Sequence, residues 1–270
     1  MVAALILFWC VDKHKGYYIL SVGFIGTLAN QFMKLIFRVP RPFVLDEGIA
    51  VEGAIEAAGG YSFPSGHTQS AVGTFGGIAY TTKNKWVRIA AIAIAVLVPF
   101  SRMYLGVHTP LDVGVAAVMA IALIIVLKPV VNEKKNIKVL FCIMTVLALA
   151  FMLHVEFYNF PEDIDAHNLA SGIKNAYTLF GALIGLFVVY IVDEKWLNFS
   201  TKAVWWVQIL KVAAGLILVL AVKSGLKTPL NLLFGESFGR AARYFLIVIV
   251  AGILWPLSFK WFAKLGSREK

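Results

Sequence analysis

Residues 110–127 of this chain read PLDVGVAAVMAIALIIVL, and no polar or charged side chain follows Asp112 within that stretch. Such a run approaches the roughly 20 apolar residues that cross a bilayer as a helix. The whole chain is similar, because 60% of its 270 residues are hydrophobic and only 15% are charged, fewer than a soluble domain needs. We therefore predict an all-α fold, a polytopic transmembrane helical bundle. The continuous runs argue against a barrel, whose strands would alternate polar and apolar residues.

Eight apolar segments of this kind divide the chain after residue 15. They lie at residues 16–33, 65–82, 86–100, 110–127, 137–153, 173–192, 203–222 and 244–262. Residues 1–11 form a shorter run without the basic start and the small-residue cleavage site of a signal peptide. We expect this run to be a first helix that is cut short, with another helix upstream of it, and we predict nine passes in this chain.

The formal net charge of +10 arises largely from Lys and Arg residues in the loops between these segments. Over nine passes, the loops of one side carry 15 of these residues and those of the other side carry 8. The richer side is expected to be cytoplasmic, which places the loops at 34–64 and 101–109 on the extracytoplasmic side. No stretch interleaves basic residues with exposed aromatic ones, so we expect no nucleic-acid partner. The two cysteines suit neither a disulfide framework nor a metal site.

His108 and Asp112 stand four residues apart, at the start of the apolar helix that Thr109-Pro110 opens. Proline is common in the first turn of a helix, and a spacing of four puts both side chains on one face. A carboxylate bonded to one imidazole nitrogen fixes the tautomer and makes the other nitrogen a better nucleophile. Taken alone, such a pair is more often structural.

A second polar group, Pro64-Ser65-Gly66-His67, precedes the apolar segment at 65–82. Free backbone N–H groups at a helix start bind anions, and a glycine there lets a phosphate approach the backbone. His67 could donate a proton to a leaving oxygen. The alternative is a turn with a helix cap, which serine and glycine also form well.

Three cations, Lys34, Arg41 and Arg102, stand at the ends of apolar segments. A single residue of this kind usually anchors a helix at the membrane interface. Arg102 follows Ser101 in a short connection that also contains His108, and a guanidinium can hold two phosphate oxygens at once. Together, the three cations, two histidines and one carboxylate are suited to phosphoryl transfer without a metal.

The order and spacing of these residues resemble the three-part signature of the type 2 phosphatidic acid phosphatase (PAP2) superfamily. The three parts are Lys34, six residues, Arg41-Pro42; then Pro64-Ser65-Gly66-His67; then Ser101-Arg102, five residues, His108, three residues, Asp112. The resemblance implies a PAP2-like catalytic membrane core at residues 1–130, with its first helix cut short. It also implies additional transmembrane helices of unknown role at 131–270.

The resemblance implies a hydrolase that removes phosphate from lipid phosphates or diphosphates without a metal or other cofactor. His108 would become a phosphohistidine, Asp112 would orient it, and His67 would protonate the leaving group and then activate water. The phosphoryl oxygens would be held by Lys34, Arg41, Ser65, Gly66 and Arg102. We expect a bacterial plasma-membrane protein with its site on the extracytoplasmic side, and membrane lipids as its partners.

Two alternatives keep the same residues. A phosphotransferase would pass the phosphoryl group to another lipid or sugar, and a non-catalytic lipid transporter or binding protein would retain only the pocket. The spacings Gly73-x-x-x-Gly77 and Gly181-x-x-x-Gly185 permit close helix contact, either within the chain or in a homodimer. The sequence does not identify the lipid.

Overall fold

The computed structural model describes residues 2–46, 48–56, 58–132 and 134–265. The protein is 83% helical, and no strand occurs within these four ranges. The predicted all-α class is therefore confirmed. The apolar residues of the sequence account for this, because a helix satisfies its own backbone hydrogen bonds where water is absent.

Fourteen helices occur in the described ranges. They are α1 (Val2–Val11), α2 (Lys13–Phe37), α3 (Pro42–Leu45), α4 (Glu52–Glu56), α5 (Gly66–Ala71), α6 (Gly77–Thr81), α7 (Lys85–Tyr104), α8 (Pro110–Asn132), α9 (Lys134–Phe157), α10 (Ala166–Val192), α11 (Trp205–Gly225), α12 (Lys227–Ile249), α13 (Trp255–Leu257) and α14 (Phe259–Lys264). The second half of α1 is π-helical. Further π-helical turns join α5 to α6, extend α10, and join α12 to α13.

Seven helical stretches of the described chain are long and apolar enough to cross a membrane: Lys13–Leu45, Lys85–Tyr104, Pro110–Asn132, Asn136–Phe157, Ala166–Leu197, Trp205–Gly225 and Lys227–Lys264. The chain is an integral membrane protein. Two of the nine predicted passes are too short to belong to these seven stretches. They are Val2–Val11 and the stretch at 66–81. Sixteen helical residues rise only about 24 Å, less than the roughly 30 Å of a hydrocarbon core. The last segment also begins earlier than predicted, at Lys227, because charged residues between 227 and 243 lower its hydropathy.

The chain folds into two compact units. The first unit comprises Tyr18–Val130 and Phe151–Ala176, and the second comprises Met1–Tyr17, Val131–Ala150 and Tyr177–Lys270. The predicted division at residue 130 stays a prediction.

In the first unit, close helix crossings bring the ends of four helices together. A Cβ added at Gly26 of α2 would overlap the Gln69 amide of α5, so a larger residue at this position would displace that side chain. Gly77 likewise lies against Ile19 of α2. Because α5 also packs on α7, the C-terminal ends of α2 and α7 lie near the N-terminal end of α5. The backbone N–H of Ser65 donates to the Asp112 carbonyl at 3.0 Å, which joins the start of α8 to this group.

In the second unit, aromatic rings form much of the core. Tyr17 makes edge-to-face contacts with Phe8, Phe141 and Tyr190, with centroids 5.0–5.7 Å apart. Lys211 is buried in mid-helix, and its ammonium donates to the carbonyls of Trp9 at 2.9 Å and Thr201 at 3.3 Å. It also lies 4.0 Å from the centroid of the Phe259 ring. This charge therefore has a packing role.

Both glycine pairs named above serve contacts within the chain. Gly73 and Gly77 face α2, and a Cβ at Gly181 of α10 would overlap the backbone oxygen of Ala241 of α12. The predicted homodimer stays a prediction.

The substitution Gly181→Ala tests this packing. The added methyl group meets the α12 backbone, which cannot rotate away, so we expect a loss of about 1–3 kcal/mol of stability and a lower melting temperature in detergent. Gly114→Ala in α8 is the matched control, since a Cβ there has no neighbour within 4 Å. An unchanged melting temperature for Gly181→Ala would contradict the close contact between α10 and α12.

Candidate active site

The predicted pair His108 and Asp112 lies buried at the start of α8. The two residues are 3% and 1% exposed, and His108 Nδ1 is 3.4 Å from Asp112 Oδ2. Asp112 also completes a capping box, because its carboxylate accepts from the Thr109 backbone N–H at 2.7 Å while its own N–H donates to the Thr109 hydroxyl at 3.2 Å. The helix start therefore fixes the carboxylate beside the imidazole.

Ser62 is a site residue that the sequence analysis missed. Its side chain is fully buried, and its hydroxyl donates to Asp112 Oδ2 at 2.6 Å and lies 3.3 Å from His108 Nδ1. The only signal in the sequence is a hydroxyl residue among aromatic neighbours, three positions before Ser65. Nothing in that pattern indicates a contact with a residue 46 positions further along the chain.

Arg41 reaches the other nitrogen of the same imidazole. Its Nη1 is 3.3 Å from His108 Nε2 and donates to the Val107 carbonyl at 3.1 Å. Its Nε and Nη2 donate to the carbonyls of Gly60 at 2.9 Å and Gly59 at 2.7 Å. A guanidinium has only donors, so Nε2 must be the acceptor and the imidazole proton is assigned to Nδ1. The free electron pair of His108 therefore points toward Arg41.

Lys34, at the C-terminal end of α2, is the second buried cation. Its ammonium donates to the carbonyls of Tyr61 and Ser62, the latter at 3.2 Å, and the residue is 6% exposed. The segment at 59–62 therefore supplies carbonyl oxygens to both Lys34 and Arg41. These dipoles hold two positive charges next to the His108–Asp112 pair.

The motif at 64–67 forms the predicted helix start. Ser65 is the N-cap of α5, and its hydroxyl accepts from the Thr68 N–H at 3.4 Å and the Thr68 hydroxyl at 3.0 Å. Gly66 is the first residue of the helix. His67 follows in the first turn with an exposed side chain.

Ser101 and Arg102 lie in the last turn of α7, and the Arg102 side chain is half-buried. Its Nε lies 3.3 Å from the Ser101 hydroxyl. The positive charge of Arg102 acts on His67 from the neighbouring helix, together with the charges of Arg41 and Lys34. The turn that follows depends on Gly106, which has a φ of 70° and a position where a Cβ would overlap the Ile49 carbonyl oxygen.

Burial lowers the pKa of His108 to about 4. The hydrogen bond to Asp112 acts in the opposite direction, and the charges of Arg41 and Lys34 lower the pKa further. The imidazole is therefore neutral at pH 7, as a nucleophile must be. Among the described residues, no group of three His, Cys, Asp or Glu side chains is placed to hold a metal ion.

The structure thus brings the predicted residues of all three motifs to one end of α2, α5, α7 and α8. Residues 15–136 match the PAP2 superfamily, and residues 177–268 match the transmembrane extension of PAP2 superfamily phosphatases. This chain belongs to the PAP2 superfamily. The resemblance found in the sequence is confirmed, and the extension lies within residues 131–270, where the sequence predicts additional transmembrane helices of unknown role.

Two relatives of this PAP2 protein are undecaprenyl-diphosphatases. Undecaprenyl-diphosphatase BcrC of Bacillus subtilis (strain 168) is 34% identical over 99 residues, which is 37% of this chain and 49% of that protein. An undecaprenyl-diphosphatase of Sulfolobus acidocaldarius is 51% identical over 53 residues, which is 20% of this chain and 25% of that protein. The chain thus spans half or less of the length of these curated relatives. No solved structure matches it significantly.

The low pKa of His108 can be measured by NMR with ring-labelled histidine in detergent. Since burial disfavours the charged form, we expect the His108 signal to stay at its neutral position from pH 8 to pH 5 and to shift only near pH 4. The chain has five histidines, and the signal missing from His108→Gln identifies the one in question. Titration near the ordinary value of about 6.5 would contradict the buried, cation-flanked position.

Proposed function

We propose that this PAP2 protein is a metal-independent lipid phosphatase whose substrate is a polyprenyl diphosphate, as the names of its relatives suggest. The observation that carries the proposal is the buried imidazole of His108, with Asp112 on one ring nitrogen and Arg41 on the other. This arrangement makes a neutral nucleophile and places a positive charge where the phosphoryl group would arrive.

In the first step, the electron pair of His108 Nε2 attacks the terminal phosphorus. The new P–N bond forms as the bond between phosphorus and the bridging oxygen breaks, and the lipid monophosphate leaves. Asp112 and Ser62 hold the Nδ1 proton, so that the imidazolium that forms is stabilised by an adjacent carboxylate. Arg41 then exchanges its contact with Nε2 for contacts with the phosphoryl oxygens.

The equatorial oxygens of the phosphoryl group carry most of the charge in the transition state. Arg41 and Lys34 can approach these oxygens from the side that is lined by the carbonyls of residues 59–62. Arg102 can approach them from the C-terminal end of α7. The first backbone N–H groups of α5, beginning at Gly66, add a helix start that favours an anion, and Ser65 holds that start in place as its cap. Apart from the Arg41 contact that is exchanged in the first step, these donors are in place before substrate binds, which lowers the cost of reorganisation.

His67 is proposed to protonate the leaving oxygen and then to activate the water that cleaves the P–N bond. Partial desolvation, followed by the charges of Arg102, Arg41 and Lys34, lowers the pKa of His67 in the free protein. A bound diphosphate offsets those charges, so that His67 gains its proton when the substrate arrives. The site is proposed to face the extracytoplasmic side, in agreement with the distribution of Lys and Arg between the loops.

The covalent step predicts that His108→Gln lowers kcat for polyprenyl diphosphate by at least about 1,000-fold while the protein remains folded. Brief reaction of the wild-type protein with substrate labelled at the terminal phosphate should give a labelled protein, with a bond stable in alkali and lost in acid, as expected of phosphohistidine. The label should be absent from His108→Gln.

Activity should persist in excess chelator, and free phosphate should be the product. Strict dependence on a divalent ion, or full activity of His108→Gln, would overturn the mechanism. Transfer of the label to another lipid would identify a phosphotransferase, and lipid movement without phosphate release would identify a transporter.

Ser62→Ala tests a positioning role for the residue that the sequence did not reveal. Loss of a hydrogen bond to a charged group should lower kcat about tenfold, whereas KM should change little because Ser62 does not contact the substrate. Ser70→Ala is the matched control, since Ser70 is an exposed serine of α5. A wild-type kcat for Ser62→Ala, or a loss confined to KM, would contradict this role.

A further inference from the structure

Arg243 in the transmembrane extension is a buried cation, two of whose nitrogens have no acceptor in the described part of the chain. The residue is 4% exposed, and the nitrogens in question are its buried Nε and Nη1. The ring of Tyr244 lies beside the guanidinium, with its centroid 5.7 Å from Cζ. A guanidinium that lacks acceptors within a membrane span is costly, and residues of this kind are usually retained for a function.

The backbone around Arg243 folds into two helical arms that touch each other, and residues 227–249 are called the 227–249 hairpin. Helix α12 is broken at Gly235, whose φ of 74° and ψ of 173° are accessible essentially to glycine alone. The two arms touch, because a Cβ at Gly239 would lie 2.6 Å from the Leu230 carbonyl oxygen. Arg243 follows Gly239 by four residues, which places it on the face of the second arm that is turned toward the first.

The opposite face of the second arm is occupied by α10. A Cβ at Gly181 would contact Ala241, and one at Gly185 would contact Phe245 and Val248. Ala241 and Arg243 are two positions apart, about 200° around a helix, so that Arg243 starts from the side of the arm opposite these contacts with α10. The backbone of Arg243 therefore lies on the side of the second arm that faces the first arm of the hairpin.

The first arm contributes a second polar atom in the same condition. Asn231 Oδ1 is buried and has no donor among the described residues, and the Asn231 backbone lies against Gly239. A ligand that reached both atoms would have to present acceptor oxygens to Arg243 and a hydroxyl proton to Asn231. A singly protonated phosphate group does both.

The charge of this region favours an anion. Residues 223–243 contain Lys223, Lys227, Arg240 and Arg243 against a single acidic residue, Glu236. Beside these charges, Leu232, Leu233 and Phe234 of the first arm are 82%, 73% and 56% exposed. Large exposed apolar side chains next to a cation suit a ligand with a charged head and an apolar chain.

We propose that the 227–249 hairpin is a second phosphate-binding site, in which Arg243 holds the phosphate group of a lipid monophosphate or of free inorganic phosphate. The site uses none of the residues of the candidate active site. It gives the extension a binding function that does not depend on hydrolysis.

The test counts bound ligands by native mass spectrometry of the full chain in detergent, in a His108→Ala background that prevents turnover. Farnesyl monophosphate is the probe, and farnesol is the same chain without phosphate. We expect Arg243→Gln to bind one farnesyl monophosphate fewer than its parent, or to bind it at least about tenfold more weakly. Arg243→Lys, which keeps the charge and loses the forked donors, should bind with intermediate affinity.

Lys260→Gln is the matched control, because it removes an exposed positive charge from the same unit and should bind as the parent does. Only the difference between Arg243→Gln and its parent is scored, so the result stands whether or not the candidate active site also holds a ligand. If millimolar inorganic phosphate displaces the counted ligand, free phosphate is an occupant of the site. If it does not displace the ligand, the occupant is the lipid monophosphate. Equal binding by Arg243→Gln and parent, or an equal loss of farnesol, would overturn the proposal.

If Arg243→Gln fails to fold, a comparison of the parent with Arg243→Lys tests the proposal instead. The melting temperature of the parent must then rise with farnesyl monophosphate and not with farnesol, and Arg243→Lys must show a smaller rise. A rise that is the same in both proteins, or no rise in the parent, would overturn the proposal.

Discussion

The carboxylate of Asp112 is the group on which the arrangement of the candidate site depends. It accepts hydrogen bonds from the Ser62 hydroxyl and the Thr109 backbone N–H, and it faces Nδ1 of His108. The carbonyl of the same residue accepts from Ser65 at the start of α5. One residue therefore joins the loop before α5, the cap of α8 and the imidazole, so that a change in its charge would act on all three.

Lys34 and Arg41 are held chiefly by backbone carbonyls. The carbonyls of residues 59–62 and of Val107 accept hydrogen bonds from these two side chains. Their dipoles offset part of the free-energy cost of burying the two charges without cancelling the charges themselves. With the carboxylate of Asp112 beside two buried cations, the site retains a net positive charge that an anion can balance. This explains how a site inside a membrane protein can stay ready for a phosphate group.

Three buried cations of this chain show how different their environments are. Lys34 and Lys211 are each satisfied by carbonyl oxygens, and Lys211 has an aromatic ring in addition. Arg243 has equally little exposure, yet two of its nitrogens have no acceptor within the described chain. Burial alone therefore does not separate a structural charge from a binding one.

The sequence by itself determined the helical membrane class, most helix positions and the three motifs, because apolar runs and short-range spacings report energies that act within one segment. It did not reveal that α12 begins at Lys227, since Lys227 at its start and three charges after Gly235, namely Glu236, Arg240 and Arg243, interrupt the apolar pattern that marks a span. Tertiary structure alone placed Ser62 on Asp112, 50 residues away, and left two nitrogens of Arg243 without an acceptor among the residues described. Both results depend on how distant backbone segments approach one another, at Gly106 and at Gly239 for example, and no local pattern encodes that approach.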